Sequence, residues 1–235
     1  MVRRKLSDNF FEITQGLEKY KEQPVPFVTN GISSAVELLR DTVSKNIFLR
    51  HTPFTVDQSH FKLLHSQPAD SMFRPMMYRS DNFFAEQTLL MVANEKLGLF
   101  NQEKIIDSLL KTDLSGMPQK PVWVDGSGLS RFNLFSPQDF VWLLRKMQDE
   151  FGLERMKRLL PTGGNGTLGN RYKQDSNYIF AKTGSLSGVA ALSGYLLTAK
   201  NHLLIFSILV NNYNGSGSRL RDAVAQFIDR LRSKY

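Results

Sequence analysis

Apolar and polar residues follow one another along the chain in patterns that predict several amphipathic helices. Apolar side chains recur at helical spacing over residues 33–43 and again over residues 220–231. A third, strongly apolar helical segment follows Asn82. Ser136 and Pro137 predict the start of a fourth helix, because serine is a favourable N-cap and proline suits the first helical turn. These helices are expected to bury one face against a common core.

Toward the carboxyl end, the pattern changes to short apolar runs that are separated by turn sequences. Three such runs cover residues 178–184, 189–198 and 202–211. Because the connections between them are tight, the runs predict antiparallel hairpins. Together with the helices, they predict an α+β fold in which helices pack on an antiparallel sheet.

Length and composition are typical of a globular protein with one sizeable core. The chain has 235 residues, of which 41% are hydrophobic and 22% are charged. It contains no cysteine, which excludes disulfides and catalysis by a thiolate. We expect no transmembrane segment, since no run is long and apolar enough, and no signal peptide, since charged and polar residues follow Met1.

The net charge of +8 raises the question of a polyanionic partner. The basic residues are scattered, with local groups at residues 3–5 and 155–158. Neither group has the interleaved aromatic residues of a single-strand binder, so we expect a solvated basic surface and no nucleic acid. Attraction to another anionic polymer is an alternative that the charge leaves open.

The first predicted strand carries the sequence Lys182-Thr183-Gly184, which is the most informative motif of the chain. A Lys-Thr-Gly triplet is one of three motifs that form the active site of penicillin-binding proteins and serine β-lactamases. Taken alone, the lysine would be interpreted as a surface residue that protects an edge strand from aggregation. The functional interpretation therefore depends on the other two motifs.

The second motif, Ser-x-Asn, begins at Ser7, at Ser44 and at Ser80. Ser7 lies in a highly charged terminal segment, and Ser44 lies at the polar end of a predicted helix. Ser80-Asp81-Asn82 directly precedes the strongly apolar helix, a place from which short polar side chains can point into a cleft. Ser80 and Asn82 are therefore the candidates for catalysis.

The third motif, Ser-x-x-Lys, supplies the nucleophile in these enzymes. The segment from Ser59 to Lys62 matches it literally. The mechanism requires this motif to open a helix, so that serine and lysine share one face and the helix amino end favours negative charge. The sequence around Ser59 is extended in character instead, so we interpret this match as a chance one.

A dense polar cluster, Asp-Gly-Ser-Gly-Leu-Ser-Arg, covers residues 125–131. Its side chains could be catalytic, but a structural role is the preferred interpretation. Gly126 and Gly128 would shape a turn, while Asp125 and Arg131 would satisfy backbone groups or each other.

The histidines give no indication of a metal centre. The chain has four of them, His51, His60, His65 and His202, and their spacing does not match a metal-ligand pattern. They do not suggest a Ser-His-Asp triad either. We therefore expect neither a metal nor another cofactor.

Taken together, these segments resemble the carboxy-terminal part of the S13 peptidase family, the D-alanyl-D-alanine carboxypeptidases/endopeptidases of the penicillin-binding protein 4 type. The seven-position segment at residues 125–131 is the most specific part of the match. Other matching segments lie around Ser80 and at residues 160–168, 181–195 and 206–213. The resemblance covers roughly residues 25–235.

The resemblance implies a partial β-lactamase/transpeptidase-like domain. Residues 25–235 would form its carboxy-terminal part, and residues 1–24 would be a charged leader or the tail of an upstream inserted domain. Family members place the Ser-x-x-Lys segment near the mature amino terminus, ahead of two inserted domains. We therefore expect the nucleophile to lie outside this chain, which is either a truncated product or lacks the upstream region of a longer protein.

By the same resemblance, the Lys-Thr-Gly strand forms one wall of the cleft. Lys182 would supply a catalytic positive charge and Thr183 a hydroxyl, both suited to the terminal carboxylate of a D-alanine peptide. Gly184 would permit close approach of the substrate backbone, because a Cβ there would crowd it. The backbone N–H of Ser185 would be one of two oxyanion donors.

The resemblance also implies roles for the other wall. Ser80 would relay a proton toward the leaving amine, and Asn82 would hydrogen-bond the substrate amide or the missing lysine. The implied activity is that of a serine-type DD-carboxypeptidase or endopeptidase, which cleaves D-Ala-containing peptidoglycan stem peptides through an acyl-enzyme. β-Lactams would inhibit the complete enzyme, and the full-length parent would be periplasmic or otherwise extracytoplasmic. The alternative is a catalytically incompetent fragment that acts as a binding or structural module.

Overall fold

A computed structural model describes residues 2–5, 7–15, 25–51, 62, 65–169, 171–173 and 176–235. The chain divides into two compact units, Met1–Leu64 and His65–Tyr235. All candidate catalytic and substrate-binding residues lie in the second unit. The predicted boundary between residues 24 and 25 falls at the edge of a segment outside the described residues, so it stays a prediction.

The first unit contains a short hairpin and a helix. Strands β1 (Val2–Arg4) and β2 (Phe11–Ile13) pair in antiparallel orientation. Helix α1 (Ile32–Val43) confirms the helix that the apolar spacing predicts over residues 33–43. It ends at Ser44, which adopts the left-handed conformation common at helix ends.

The second unit contains a set of helices around one sheet. Its α-helices, among the described residues, are α2 (Asp70–Arg79), α3 (Asn82–Leu97), α4 (Gln102–Lys111), α5 (Pro137–Phe151), α6 (Leu153–Leu159) and α7 (Gly217–Lys234). A 3₁₀ turn at Gly166–Leu168 precedes the sheet. Helices α3, α5 and α7 confirm the predictions for these segments. No helix in the described part of the chain combines the length and hydrophobicity needed to cross a membrane.

Helix α5 begins where the sequence predicts, and its first turn is fixed by a capping box. The Ser136 hydroxyl accepts from the Asp139 N–H, while the Asp139 carboxylate accepts from the Ser136 N–H at 2.9 Å. The carboxylate also accepts from the backbone N–H of Gln119 at 3.0 Å. Asp139 is only 1% exposed, so its hydrogen bonds tie the preceding loop to the helix inside the protein.

The sheet is formed by the three predicted strands, β3 (Ile179–Leu186), β4 (Val189–Leu197) and β5 (Leu203–Asn211). They are hydrogen-bonded in the order β3-β4-β5, and both pairs are antiparallel, as predicted. Among the described residues, β3 is therefore an edge strand, apart from a single bridge between Thr162 and Phe180. The motif Lys182-Thr183-Gly184 occupies positions four to six of this eight-residue strand.

Helices cover both faces of the sheet because alternate strand residues are apolar on both sides. On one face, Ala181 packs in a buried cluster with Ile228 of α7. On the other face, Phe180 and Tyr195 pack with Met156 of α6 and residues of α5. This arrangement confirms the α+β fold with helices packed on an antiparallel sheet.

Candidate active site

The junction between α2 and α3 presents Ser80 and Asn82 at the surface. Ser80 ends α2 in the left-handed region, with φ 56° and ψ 52°. This conformation costs a non-glycine residue on the order of 1 kcal/mol, and here it turns the chain between two helices. Asp81 then caps α3, since its carboxylate accepts from the Phe84 N–H at 3.0 Å. The Asp81 side chain thus caps the helix, while Ser80 and Asn82 on either side of it are exposed.

Lys182 reaches Ser80 across the space between β3 and this junction. Its Nζ donates to Ser80 Oγ at 2.8 Å and to the Thr183 carbonyl oxygen at 2.7 Å. Burial lowers the pKa of Lys182 below its ordinary value of 10.5, because the charged ammonium is poorly solvated there. Two residues that the motifs single out, 102 positions apart, are thus in direct contact.

Asn82 occupies the first position of α3, two residues from Ser80. Its side chain is exposed. Among the hydrogen bonds of the described residues, none joins the Asn82 side chain to Ser80 or to Lys182. The structure therefore places Asn82 beside the pair without making it a partner of either residue.

The next three residues of the strand line a small cavity against α7. Thr183, Gly184 and Ser185 border a space of about 50 Å³, which Leu168 and Val224 close from the helical side. Lys182 and Thr183 point to opposite faces of the strand, since successive side chains alternate. A Cβ on Gly184 would lie 3.3 Å from the Ala191 Cβ, so the tight approach at this glycine is to the neighbouring strand.

The loop at residues 125–131 is held together by Asp125. Its carboxylate accepts from the backbone N–H groups of Gly128 and Ser130, each at 2.6 Å, and from Asn133 Nδ2 at 2.9 Å. All three are bonds within the loop region, as expected of a residue that fixes a turn. The structural interpretation of Asp125 is the one that this geometry favours.

Glu86 of α3 anchors this loop, and the sequence analysis does not identify it. Its two carboxylate oxygens accept from consecutive N–H groups, Gly126 at 3.1 Å and Ser127 at 2.9 Å. A Cβ on Gly126 would lie 2.8 Å from the Ala85 carbonyl oxygen, so only glycine fits so close to α3. One sequence feature could have pointed to Glu86: it follows Asn82 by four residues and thus lies on the same side of the helix.

Arg131 connects the other end of the loop to the sheet. Its Nη2 donates to the Ser187 carbonyl oxygen at 3.0 Å, in the turn between β3 and β4. Arg131 therefore satisfies a backbone group, as predicted, and its partner is the hairpin that carries Lys182. The loop therefore contacts both α3, the helix that begins next to Ser80, and the β3–β4 hairpin.

Among the described residues, no Ser-x-x-Lys segment fits the role of the nucleophile. Ser59 lies outside the described residues. A second Ser-x-x-Lys match, from Ser108 to Lys111, was not among the sequence-based candidates. It occupies the last turn of α4, where the helix dipole disfavours the negative charge of an activated serine.

Metal-binding side chains are not clustered in the described part of the chain. Within it, no three His, Asp or Glu residues form a group that could hold an ion. The site at Ser80 and Lys182 instead offers hydroxyls, an ammonium group and backbone N–H groups. Those groups suit acyl transfer with electrostatic and proton-transfer catalysis.

Comparison with known proteins relates the chain to one enzyme family. The model of the D-Ala-D-Ala carboxypeptidase 3 (S13) family matches residues 28–231. The D-alanyl-D-alanine carboxypeptidase of Actinomadura sp. (strain R39) is 29% identical over 87% of this chain and 40% of its own length. Carboxypeptidase DacB of Mycolicibacterium smegmatis is 33% identical over 69% of this chain and 38% of its own length.

The fold is also similar to that of a solved structure. Penicillin-binding protein 4 (dacB) from Haemophilus influenzae, complexed with a β-lactam, superposes with a TM-score of 0.62 and 27% identity, covering 87% of this chain and 51% of that one. The chain thus spans about 40% of the length of the two curated relatives. Since the family model matches most of the sequence, the chain belongs to the D-Ala-D-Ala carboxypeptidase 3 (S13) family.

Proposed function

We propose that this chain supplies two walls of the active-site cleft of a serine-type DD-carboxypeptidase/DD-endopeptidase. The observation that carries the proposal is the hydrogen bond of 2.8 Å between Lys182 Nζ and Ser80 Oγ. This bond brings together the serine of one motif and the lysine of another, beside the edge strand β3. The substrate is a D-Ala-containing stem peptide of peptidoglycan, in keeping with the carboxypeptidase names of the relatives.

Lys182 and Ser80 act as a unit in the proposed reaction. The ammonium group holds the Ser80 hydroxyl in place and lowers the cost of charge on the serine oxygen. Ser80 can then pass a proton to the amine that leaves when the peptide C–N bond breaks. A buried lysine with a lowered pKa gives up a proton more readily than an exposed one, which suits this relay.

The rest of the strand binds the peptide. Lys182 attracts the terminal carboxylate of the substrate, while the strand edge at Thr183, Gly184 and Ser185 lies alongside the peptide backbone. The N–H of Ser185 donates to the oxyanion of the tetrahedral intermediate. Asn82, exposed at the start of α3, donates to the substrate amide.

The nucleophile is supplied by a Ser-x-x-Lys segment outside these 235 residues. In the acylation step, its serine oxygen bonds to the carbonyl carbon of the penultimate D-Ala, and the C–N bond to the terminal residue breaks. Water then hydrolyses the ester. The coverage of about 40% of the length of the relatives leaves ample sequence for such a segment in a longer protein.

The cellular setting follows from this substrate. The complete protein works outside the cytoplasmic membrane, where peptidoglycan lies, and β-lactams acylate it as substrate analogues. A second candidate function is a binding or structural module without catalysis. It is favoured by one observation, the absence of a fitting Ser-x-x-Lys helix among the described residues.

Binding and acylation can be measured separately on the chain as it is. We expect no covalent adduct by intact-mass spectrometry after incubation with a labelled penicillin. We expect non-covalent binding of an acyl-D-Ala-D-Ala peptide by NMR, weakened about tenfold by Lys182→Met. The control is Lys200→Met, which removes an exposed lysine whose hydrogen bond, within the described part of the chain, goes to the Lys234 carbonyl oxygen.

Each outcome has a defined meaning. An adduct on Ser59 or Ser108 would overturn the placement of the nucleophile outside the chain. Absence of peptide binding, or equal loss in both lysine variants, would contradict the proposed cleft and favour the binding or structural module. If the nucleophile lies outside the chain, the DNA upstream of Met1 is expected to encode an in-frame Ser-x-x-Lys segment.

A further inference from the structure

A second concave surface of the protein lies between α2 and α6. It is a groove of about 640 Å³, and its polar lining consists of Asp70, Ser71, Arg74, Tyr78, Lys157 and Arg158. Two of these residues belong to the basic group at 155–158 that stands out in the sequence. The volume is within the range of small-molecule sites.

The acidic residue of the groove is already neutralised. Both oxygens of the Asp70 carboxylate accept from Arg155, whose Nη2 approaches to 2.8 Å and whose Nε approaches to 3.1 Å. This hydrogen bonding lowers the pKa of Asp70, and the charge of Arg158 lowers it further. The carboxylate is therefore occupied and does not compete for the remaining cations.

The guanidinium groups of Arg74 and Arg158 keep their hydrogen-bonding capacity. Among the described residues, neither forms a hydrogen bond or an ion pair. Arg74 lies over the ring of Tyr78, 4.9 Å from its centroid. Lys157 differs, because its Nζ donates to Glu154 at 2.7 Å at the rim. Two unpaired guanidinium groups thus share a groove in which the hydroxyls of Ser71 and Tyr78 are further donors.

We propose that this groove is a binding site for a phosphate group, carried by a phosphomonoester or a phosphodiester. Arginine presents several N–H donors in a planar fork that matches the oxygens of phosphate, and two such forks can share one phosphate. Stacking of a nucleic acid base is disfavoured, because Arg74 already covers one face of the Tyr78 ring. The ligand is therefore recognised by its charge and its oxygens.

The position of the groove relates it to the proposed cleft without depending on it. Helix α2 carries Arg74 and ends at Ser80, less than two turns farther along. Lys157 Nζ lies 5.7 Å from the ring centroid of Phe180, two residues before Lys182 on β3. A phosphate-bearing ligand held in the groove would lie beside the elements that carry both walls of the cleft.

The test uses the whole chain and titrates inorganic phosphate at constant low ionic strength. The readout is the set of arginine Nε–Hε cross-peaks in ¹⁵N-correlated NMR spectra. We expect saturable shifts of a small number of peaks, which Arg74→Gln and Arg158→Gln identify, and about tenfold weaker binding in the double variant. The matched control is Arg145→Gln on α5, which removes one charge from an exposed pair with Asp149.

Two further ligands distinguish a phosphomonoester from a phosphodiester. Glycerol 3-phosphate represents a monoester and poly(glycerol phosphate) a diester; binding of either one supports the site and names its ligand. Arg74→Lys keeps the charge but loses the fork, so intermediate weakening is expected even where the double variant folds poorly. Unsaturable shifts, chloride binding as tight as phosphate binding, or equal weakening by Arg145→Gln would overturn the proposal.

Discussion

Lys182 Nζ lies 2.8 Å from Ser80 Oγ, and this bond joins the edge strand of the sheet to the junction between α2 and α3. The second acceptor of the ammonium group is the carbonyl oxygen of Thr183, at 2.7 Å. Both acceptors are neutral, so no formal negative charge offsets the burial of the lysine in these bonds. The balance between burial and hydrogen bonding therefore decides the protonation of Lys182.

The first prediction concerns that balance. The pKa of Lys182, measured by NMR on lysine-labelled protein, should lie below 10.5 because burial disfavours the charged form. Ser80→Ala should lower this pKa further, since it removes one of the two acceptors of the ammonium group. Ser185→Ala, on the same strand, should leave it unchanged. A higher pKa in Ser80→Ala would contradict the assigned donor and acceptor.

The second prediction concerns stability as a function of pH. Because the folded pKa of Lys182 lies below the unfolded value of 10.5, the unfolded chain binds more protons between these two values. The free energy of unfolding should therefore gain a positive slope from Lys182 as the pH rises through this window. Below the folded pKa the penalty of burying the charge is fully present.

Urea unfolding at a series of alkaline pH values checks this slope. The comparison is with Lys182→Met, which removes the titrating group and keeps an unbranched side chain. The variant should lack the positive contribution seen in the wild-type protein. If the two proteins keep the same pH dependence, Lys182 is not desolvated in the folded state.

The third prediction concerns two glycines of the β3–β4 hairpin. A Cβ on Gly194 would lie 2.1 Å from the Phe180 carbonyl oxygen and 2.6 Å from the Ala181 Cα, both backbone atoms of β3. Gly194→Ala should therefore destabilise the protein by about 3 kcal/mol or more and displace the strand that carries Lys182. Chemical denaturation measures the loss.

Gly184→Ala is the matched control in the same pair of strands. Its Cβ would lie 3.3 Å from the Ala191 Cβ, a tight contact with a side chain that can shift by a few tenths of an ångström. We expect a loss of about 1 kcal/mol or less. A larger loss than in Gly194→Ala would mean that the register of β3 against β4 differs from the one described.

The sequence predicts helices α1, α3, α5 and α7 and the three strands of the sheet, but not α2, α4, α6 or the hairpin of β1 and β2. The strand runs and the cap at Ser136 follow from local chemistry. The motifs mark Ser80 and Lys182 as candidates, but the hydrogen bond between them is not predicted, because it joins residues 102 positions apart. The anchoring of the loop by Glu86 is not predicted either, because its partners lie 40 and 41 positions away. Such a contact depends on how α3 packs against the loop; the spacing of Glu86 from Asn82 gives the side of the helix but not the partners.

The fourth prediction concerns this anchor. Glu86→Gln leaves one good acceptor for two backbone N–H groups, so the protein should lose about 1–3 kcal/mol of unfolding free energy. Amide exchange at Gly126 and Ser127 should become faster in the same variant. The control Glu95→Gln alters an exposed position of the same helix and should change stability by less than about 0.5 kcal/mol. Equal effects in both variants would rule out a specific role of Glu86.

The fifth prediction concerns the buried cap of α5. The Asp139 carboxylate accepts from the Ser136 N–H, the Ser136 hydroxyl and the Gln119 N–H, at 2.9, 2.8 and 3.0 Å. Asp139→Asn replaces one acceptor oxygen by an NH₂ group, which then faces a buried N–H with no acceptor between them. We expect a loss of about 3 kcal/mol, measured by urea unfolding.

Asp149→Asn is the matched control for this change. It makes the same substitution on the same helix, but at an exposed carboxylate that pairs with Arg145. Exposed ion pairs contribute little, so the loss should be below about 1 kcal/mol. Helix α5 also contacts the sheet, because the Tyr195 hydroxyl donates to the Leu144 carbonyl oxygen at 2.6 Å. A loosened cap in Asp139→Asn should therefore also broaden the NMR signals of Tyr195. Unchanged Tyr195 signals together with a full loss of stability would confine the effect of the cap to the helix end.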